Sequence, residues 1–162
     1  MVNHSSFYVI LENVRSLYNV GAAFRTSDGC NISKLYLAGF TGCPPRQEIS
    51  KTALGAEDQV PWEHVDDALQ AIEKLRQENT CQIVGVEKTP KSVSYTDFRF
   101  SFPTCLVFGN EIMGVSQATL AACDEVVHIP MLGSKESLNV ATAYGVVLYE
   151  LLRQYQNAKR KT

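Results

Sequence analysis

The sequence predicts an α/β fold, a mostly parallel sheet flanked by helices, formed as a single domain over residues 1–162. Three observations carry this expectation. Apolar runs such as Ser6-Phe7-Tyr8-Val9-Ile10-Leu11 lack polar alternation, as strands covered on both faces require. These runs alternate with segments whose apolar residues recur at helical spacing. The most polar, glycine-containing stretches directly follow strands, the place where open α/β sheets bind their ligands.

Each element has its own signal. After the first strand, a helix runs to about Asp28, with Asn19 as a candidate cap and Val20, Ala23, Phe24 and Ser27 on related faces. Gly29 and Asn31 end it. Residues 34–38 read as the second strand. From Gly39 to Pro61 the chain is loop-like, with a helical turn around Ser50 to Leu54; loops of this length are often functional. A short strand near residues 62–65 precedes a helix from Asp66 to about Glu78, whose Ala68, Leu69, Ile72 and Leu75 keep the helical period. Strands at residues 82–86 and 105–108 flank a linker containing Thr89-Pro90. A short helix over about 116–122, a strand at 125–129 and a long helix from Asn139 to about Asn157 follow. Val140, Ala143, Val147, Leu148, Leu151 and Tyr155 form the last helix's apolar stripe.

Composition narrows the function classes. A chain of 162 residues buries roughly 70% of its unfolded surface, enough for one independent core. No run approaches the ~18–20 apolar residues that span a bilayer. The start Met1-Val2-Asn3-His4-Ser5 has no basic flank of a secretory signal, so a cytoplasmic location is expected. The five cysteines form no CxxC pair and the three histidines stand alone, so neither a metal site nor a disulfide framework is expected. A net charge of −2 and a pI near 5.9 argue against gripping nucleic acid by bulk positive charge. A local basic surface, from residues such as Arg15, Arg25, Arg46, Lys51 and the Lys159-Arg160-Lys161 tail, is compatible with both numbers.

Three polar clusters hold the candidate chemistry. In the first, Asn13 to Arg25, a planar and always-charged guanidinium at Arg25 stands among Val20, Ala23 and Phe24, six residues beyond Asn19. Phosphate suits its forked donors; a helix cap at Asn19 and a structural ion pair at Arg25 are the plainer alternative. In the second, Phe108-Gly109-Asn110-Glu111-Ile112-Met113-Gly114, a glycine after a buried strand permits close approach of backbone to a ligand. Glu111 is either an exposed turn carboxylate or a polar group of a site. In the third, Ile129-Pro130-Met131 to Ser137-Leu138-Asn139, Ser137 or Asn139 caps the last helix, and the same stretch makes a good cradle for a small molecule. None of these is a Walker loop or a GxGxxG fingerprint.

Taken in order, the clusters resemble the signature motifs of the SpoU/TrmH-type RNA 2′-O-ribose methyltransferases of the SPOUT superfamily: Asn19-Val20-Gly21…Arg25, Gly109-Asn110-Glu111…Gly114 and Ile129-Pro130-Met131…Ser137-Leu138-Asn139. The resemblance extends from Phe7 to about Tyr155. It implies a deep trefoil knot in the C-terminal part, which periodicity cannot show. It implies S-adenosyl-L-methionine as cofactor, held around Val86, Glu87, Gly109, Ile129, Met131, Ser137 and Leu138, and a homodimer with the active site at the subunit interface. The substrate it implies is RNA, tRNA or rRNA, without a separate RNA-binding domain in these residues. Arg25, Asn19, Glu111, Ser137 and Asn139 become the catalytic candidates. A guanidinium holds its proton too firmly to be a good base, so Arg25 suits the phosphate and the growing alkoxide charge better than proton removal. A non-catalytic RNA-binding domain of the same fold and a base-modifying methyltransferase are the alternatives.

Overall fold

The computed structural model describes residues 6–161, so His4 and the leaderless start read over Met1–Ser5 lie outside the described residues. The elements are β1 (Phe7–Glu12), α1 (Leu17–Cys30), β2 (Lys34–Ala38), α2 (Gln47–Ala53), β3 (Trp62–Val65), α3 (Ala68–Asn79), β4 (Gln82–Val86), β5 (Val93–Ser94), β6 (Thr104–Phe108), α4 (Gln117–Ala122), β7 (Glu125–His128) and α5 (Val140–Arg160). The strands form one sheet in the order β3-β2-β1-β6-β4-β7-β5, and every pairing is parallel. From β1 the chain builds outward through β2 and β3, then crosses to β4 on the other flank; β6 later fills the place between β1 and β4, making β1/β6 the switch point.

The unbroken apolar run of β1 divides by the two-residue period of a strand. Phe7, Val9 and Leu11 face a core shared with α1, α2 and α5, while Ile10 faces the opposite core, against Ala68, Ala71, Ile72 and Leu75 of α3. β6 divides likewise, Leu106 and Phe108 to the first side, Cys105 and Val107 to the second. Burying a leucine- or phenylalanine-sized side chain contributes about 1.5–3 kcal/mol, so a slip of one residue in register would be costly on both faces. This double burial is why the central strands carry no polar alternation.

Several local expectations needed correction. Ser16 rather than Asn19 caps α1, its hydroxyl accepting from the Asn19 amide at 3.2 Å, and Asn19 lies inside the helix. Gly29 is also helical, and Asn31 in the left-handed region ends the helix. Leu69 is 40% exposed; Ala71 takes its place in the core. The stretch from Gly39 to Pro61 is more ordered than expected, holding α2 from Gln47 and a 3-10 turn at Ala56–Asp58. The short β5 lacked a signal because two residues are too few for a period. All five cysteines are free, and Cys30, Cys81 and Cys105 are buried. No helix among the described residues is long and apolar enough to cross a membrane.

Tyr144 of α5, fully buried, shares a 2.5 Å hydrogen bond with the Ser27 hydroxyl of α1. Burial pushes the Tyr144 hydroxyl far up from its ordinary pKa, so it serves as a neutral partner. Tyr144→Phe leaves Ser27 buried without its partner and is expected to cost about 1–3 kcal/mol in urea unfolding. Adding Ser27→Ala should recover part of that loss. A double variant no better than the single one would show that packing, not the hydrogen bond, carries the α1–α5 contact.

Candidate active site

The polar clusters meet because the strands preceding them are neighbours. β1 and β6 pair with Leu11 opposite Phe108, so the loops that leave them emerge side by side. β4 pairs with β6 and β7 with β4, which adds Glu87 and the segment after His128 to the same edge. A cavity of about 400 Å³ lies over these strand ends, within the ~300–1,000 Å³ usual for small-molecule sites.

Glu111 ties the first two loops together. Its carboxylate accepts from the Arg15 amide at 2.8 Å, the Ser16 amide at 2.8 Å and the Asn19 side-chain amide at 3.1 Å. Unpaired amides and the positive end of the α1 dipole make this a favourable seat for a negative charge. Burial pushes the Glu111 carboxyl up, but the hydrogen bonds from Arg15, Ser16 and Asn19 outweigh it and hold the group below the ordinary glutamate range. Asn139 connects the third cluster. It donates to the Asn19 side-chain oxygen at 3.4 Å and caps α5 by accepting from Ala141 at 2.9 Å.

The loop after β6 is held closed from several sides. Asn110 donates to the Asn13 carbonyl at 2.8 Å and accepts from the Ile112 and Met113 amides, each at 2.9 Å. Glu87 accepts from the Val115 amide at 2.9 Å, and the buried Glu12 accepts from the Ser116 amide and the Ser116 and Thr119 hydroxyls. The glycines serve this closure. A Cβ on Gly109 would stand 2.3 Å from the Gly114 and Val115 backbone, so its main requirement is the loop itself, although it also lines the cavity. Gly114, at φ +70°, leaves its side-chain space to the Glu87 carboxylate.

All seven positions expected to hold the cofactor, Val86, Glu87, Gly109, Ile129, Met131, Ser137 and Leu138, line this cavity, as do Glu111 and Asn139. Asn19 lies next to it on an adjoining groove. Arg25 lines neither within one chain. It is exposed on α1, six residues past Asn19 and therefore on a different face, with no hydrogen bond or ion pair among the described residues. The anionic partner expected of its guanidinium is thus not found among the described residues of this chain. Asn13, Asn110 and Glu12, which position the loops, lay within or beside the quoted clusters, but only three-dimensional pairing distinguishes them from ordinary turn residues. Lys88, His128 and Glu136 also line the cavity. No group of three or more His, Cys, Asp or Glu side chains among the described residues is arranged to hold a metal ion.

Residues 6–149 match the family model described as the SpoU rRNA Methylase family. The chain belongs to the SpoU rRNA methylase family. It is 33% identical over 148 residues to the 23S rRNA (guanosine-2′-O-)-methyltransferase RlmB of Pectobacterium atrosepticum, covering 91% of this chain and 60% of that one. It is 34% identical over 146 residues to the tRNA (guanosine(18)-2′-O)-methyltransferase of Aquifex aeolicus, covering 90% of this chain and 68% of that one. The crystal structure of the SpoU methyltransferase AviRb from Streptomyces viridochromogenes in complex with AdoMet superposes with a TM-score of 0.87 at 28% identity, covering 96% of this chain and 63% of that one. The chain thus spans about 60% of the length of the 23S rRNA relatives it matches.

For this SpoU-family site the Glu111 clamp makes a testable statement about pH. A depressed folded-state pKa gives stability that is fully present above the unfolded pKa and is lost as pH falls through the folded value. Glu111→Gln is expected to be less stable than the wild type at pH 7, with the gap closing as pH falls below about 4.3. Thermal melts between pH 7 and pH 3 read this directly, and a gap independent of pH would remove charge as its source.

Proposed function

We propose that this protein transfers a methyl group from S-adenosyl-L-methionine to a ribose 2′-hydroxyl of tRNA or rRNA, acting in the cytoplasm as a homodimer. The observation that carries this reading is the hydrogen-bonded run Glu111–Asn19–Asn139, which joins all three family motifs beside one cavity. The donor set suits the cofactor: backbone and apolar groups at Val86, Ile129, Met131 and Leu138 for an adenosine body, carboxylates of Glu87 and Glu136 for a cation. Bound there, S-adenosylmethionine would supply an electrophilic methyl group on a sulfonium that departs as a neutral thioether. The names of the relatives, which methylate guanosine 2′-hydroxyls of rRNA and tRNA, support the acceptor. A knotted C-terminal segment, which the family resemblance implies, is part of this proposal.

The chain's own groups act mainly by orientation and charge. Asn19, clamped between Glu111 and Asn139, presents a rigid amide to the acceptor ribose. Ser137 and Asn139 shape the floor. Arg25, without a partner among the described residues of its own chain, serves the cavity of the partner subunit, where its fork holds the phosphate beside the target ribose and offsets charge growing on the 2′-oxygen. The hydroxyl's proton passes to water, since a guanidinium stays charged.

Subunit complementation tests both the activity and the shared site. Arg25→Ala and Ser137→Phe, the latter a bulky plug in the cavity, should each abolish transfer to RNA from a strain lacking the protein. Mixed after partial denaturation and refolding, the two should recover about a quarter of wild-type activity, because half the dimers would hold one intact site. No recovery would place Arg25 in its own subunit's site or outside catalysis. The product should resist alkaline cleavage at the modified nucleotide; an alkali-sensitive methylated product would move the reaction to a base.

A further inference from the structure

We infer that an open groove beside the cofactor cavity receives the base of the acceptor nucleotide, with Phe40 as its stacking platform and Arg15 as the clamp for a neighbouring phosphate. The inference rests on the methyltransferase reading above and names the part of that site that meets RNA. The groove, of about 790 Å³, shares Asn110, Glu111, Ile112 and Met113 with the cofactor cavity, so the two lie on either side of one loop. A methyl acceptor has to enter from an open space adjoining the donor, and this is such a space.

The lining has the chemistry of a nucleotide seat. Phe40, Ile112 and Met113 are 63%, 82% and 82% exposed, an apolar cluster beside a polar site. Phe40 stacks on no other ring among the described residues, and its backbone is fixed: it follows Gly39 at φ +66° and its amide donates to the Asn13 side chain at 3.0 Å. Asn13 also holds Asn110 through its carbonyl, so the platform is anchored to the loop that walls the cavity. An aromatic face and a thioether accept any base by stacking, with little demand on sequence. The Arg15 side chain, exposed at the rim, has no hydrogen-bond or ion-pair partner among the described residues, whereas the nearby Glu111 carboxylate is engaged by the Arg15 and Ser16 amides and the Asn19 side chain. A free cation over an apolar floor favours a base with its phosphate over an apolar peptide or a second copy of this chain.

The test uses the full chain with tRNA and rRNA isolated from a strain lacking the protein. Phe40→Ala and Arg15→Ala should each raise KM for this RNA by about tenfold or more, while kcat changes far less. Phe40→Trp should keep a near-normal KM, because it preserves the stacking face. Affinity for S-adenosylhomocysteine by calorimetry should be unchanged in all three. In filter binding, Arg15→Ala should also reduce the slope of log K against log salt by about 0.7–1, the signature of one lost phosphate contact. Unchanged KM and salt slope overturn the proposal, and a shift of Phe40→Ala from dimer to monomer in light scattering reassigns the groove to a subunit contact. If the wild type transfers no methyl group at all, the activity fails, while filter binding of the same RNA still reads the groove.

Discussion

The seating of one carboxylate on one helix end organises this molecule. Glu111 brings the loop after β6 onto the Arg15 and Ser16 amides at the entry to α1 and draws Asn19 to the same point. A negative group is stable there because the helix terminus offers unpaired donors and a partial positive charge. Without it, the two loops would still be joined by sheet pairing, by Asn110 on the Asn13 carbonyl and by Glu12 on Ser116, but Asn19 would lose its carboxylate anchor. The sheet supplies proximity and the carboxylate supplies registration.

Two further carboxylates repeat the device at smaller scale. Glu12 holds the start of α4 and Glu87 holds the Val115 amide, so the far end of the loop from Gly109 to Ser116 is fastened twice by acids at strand ends. The glycines within that loop are there for close contact: Gly109 against the loop backbone, Gly114 against Glu87. Preorganisation of this kind suits the proposed chemistry, in which orientation of two reactants matters more than acid–base work. The acidic net charge is also consistent with such a site, since acids in the scaffold are spent on backbone amides while the exposed Arg15 and Arg25 keep their charge available.

The position of Arg25 separates what one chain contains from what an assembly would complete. The helix places it away from the face that carries Asn19, and no anion among the described residues meets it. An exposed guanidinium needs no anion of its own chain to be stable, so this one stands available to another surface. That is why the proposed site is shared between subunits.

The fold class, the central strands and the cavity-lining positions were legible in the sequence, because each leaves a local trace. Double burial removes polar alternation from β1 and β6, helical packing imposes its period on α1 and α5, and strand ends collect glycine and polar residues. The family motifs then indicated which polar residues share a pocket. Ser16 caps α1 through the amide only three residues on, a local signal that the expectation at Asn19 passed over; tertiary structure alone decided that Asn19 meets Glu111, that Leu69 yields its core place to Ala71, and that Phe40 stands beside Arg15 on an open groove. These outcomes depend on partners some thirty to one hundred residues distant, and local propensity carries no term for a hydrogen bond across the sheet.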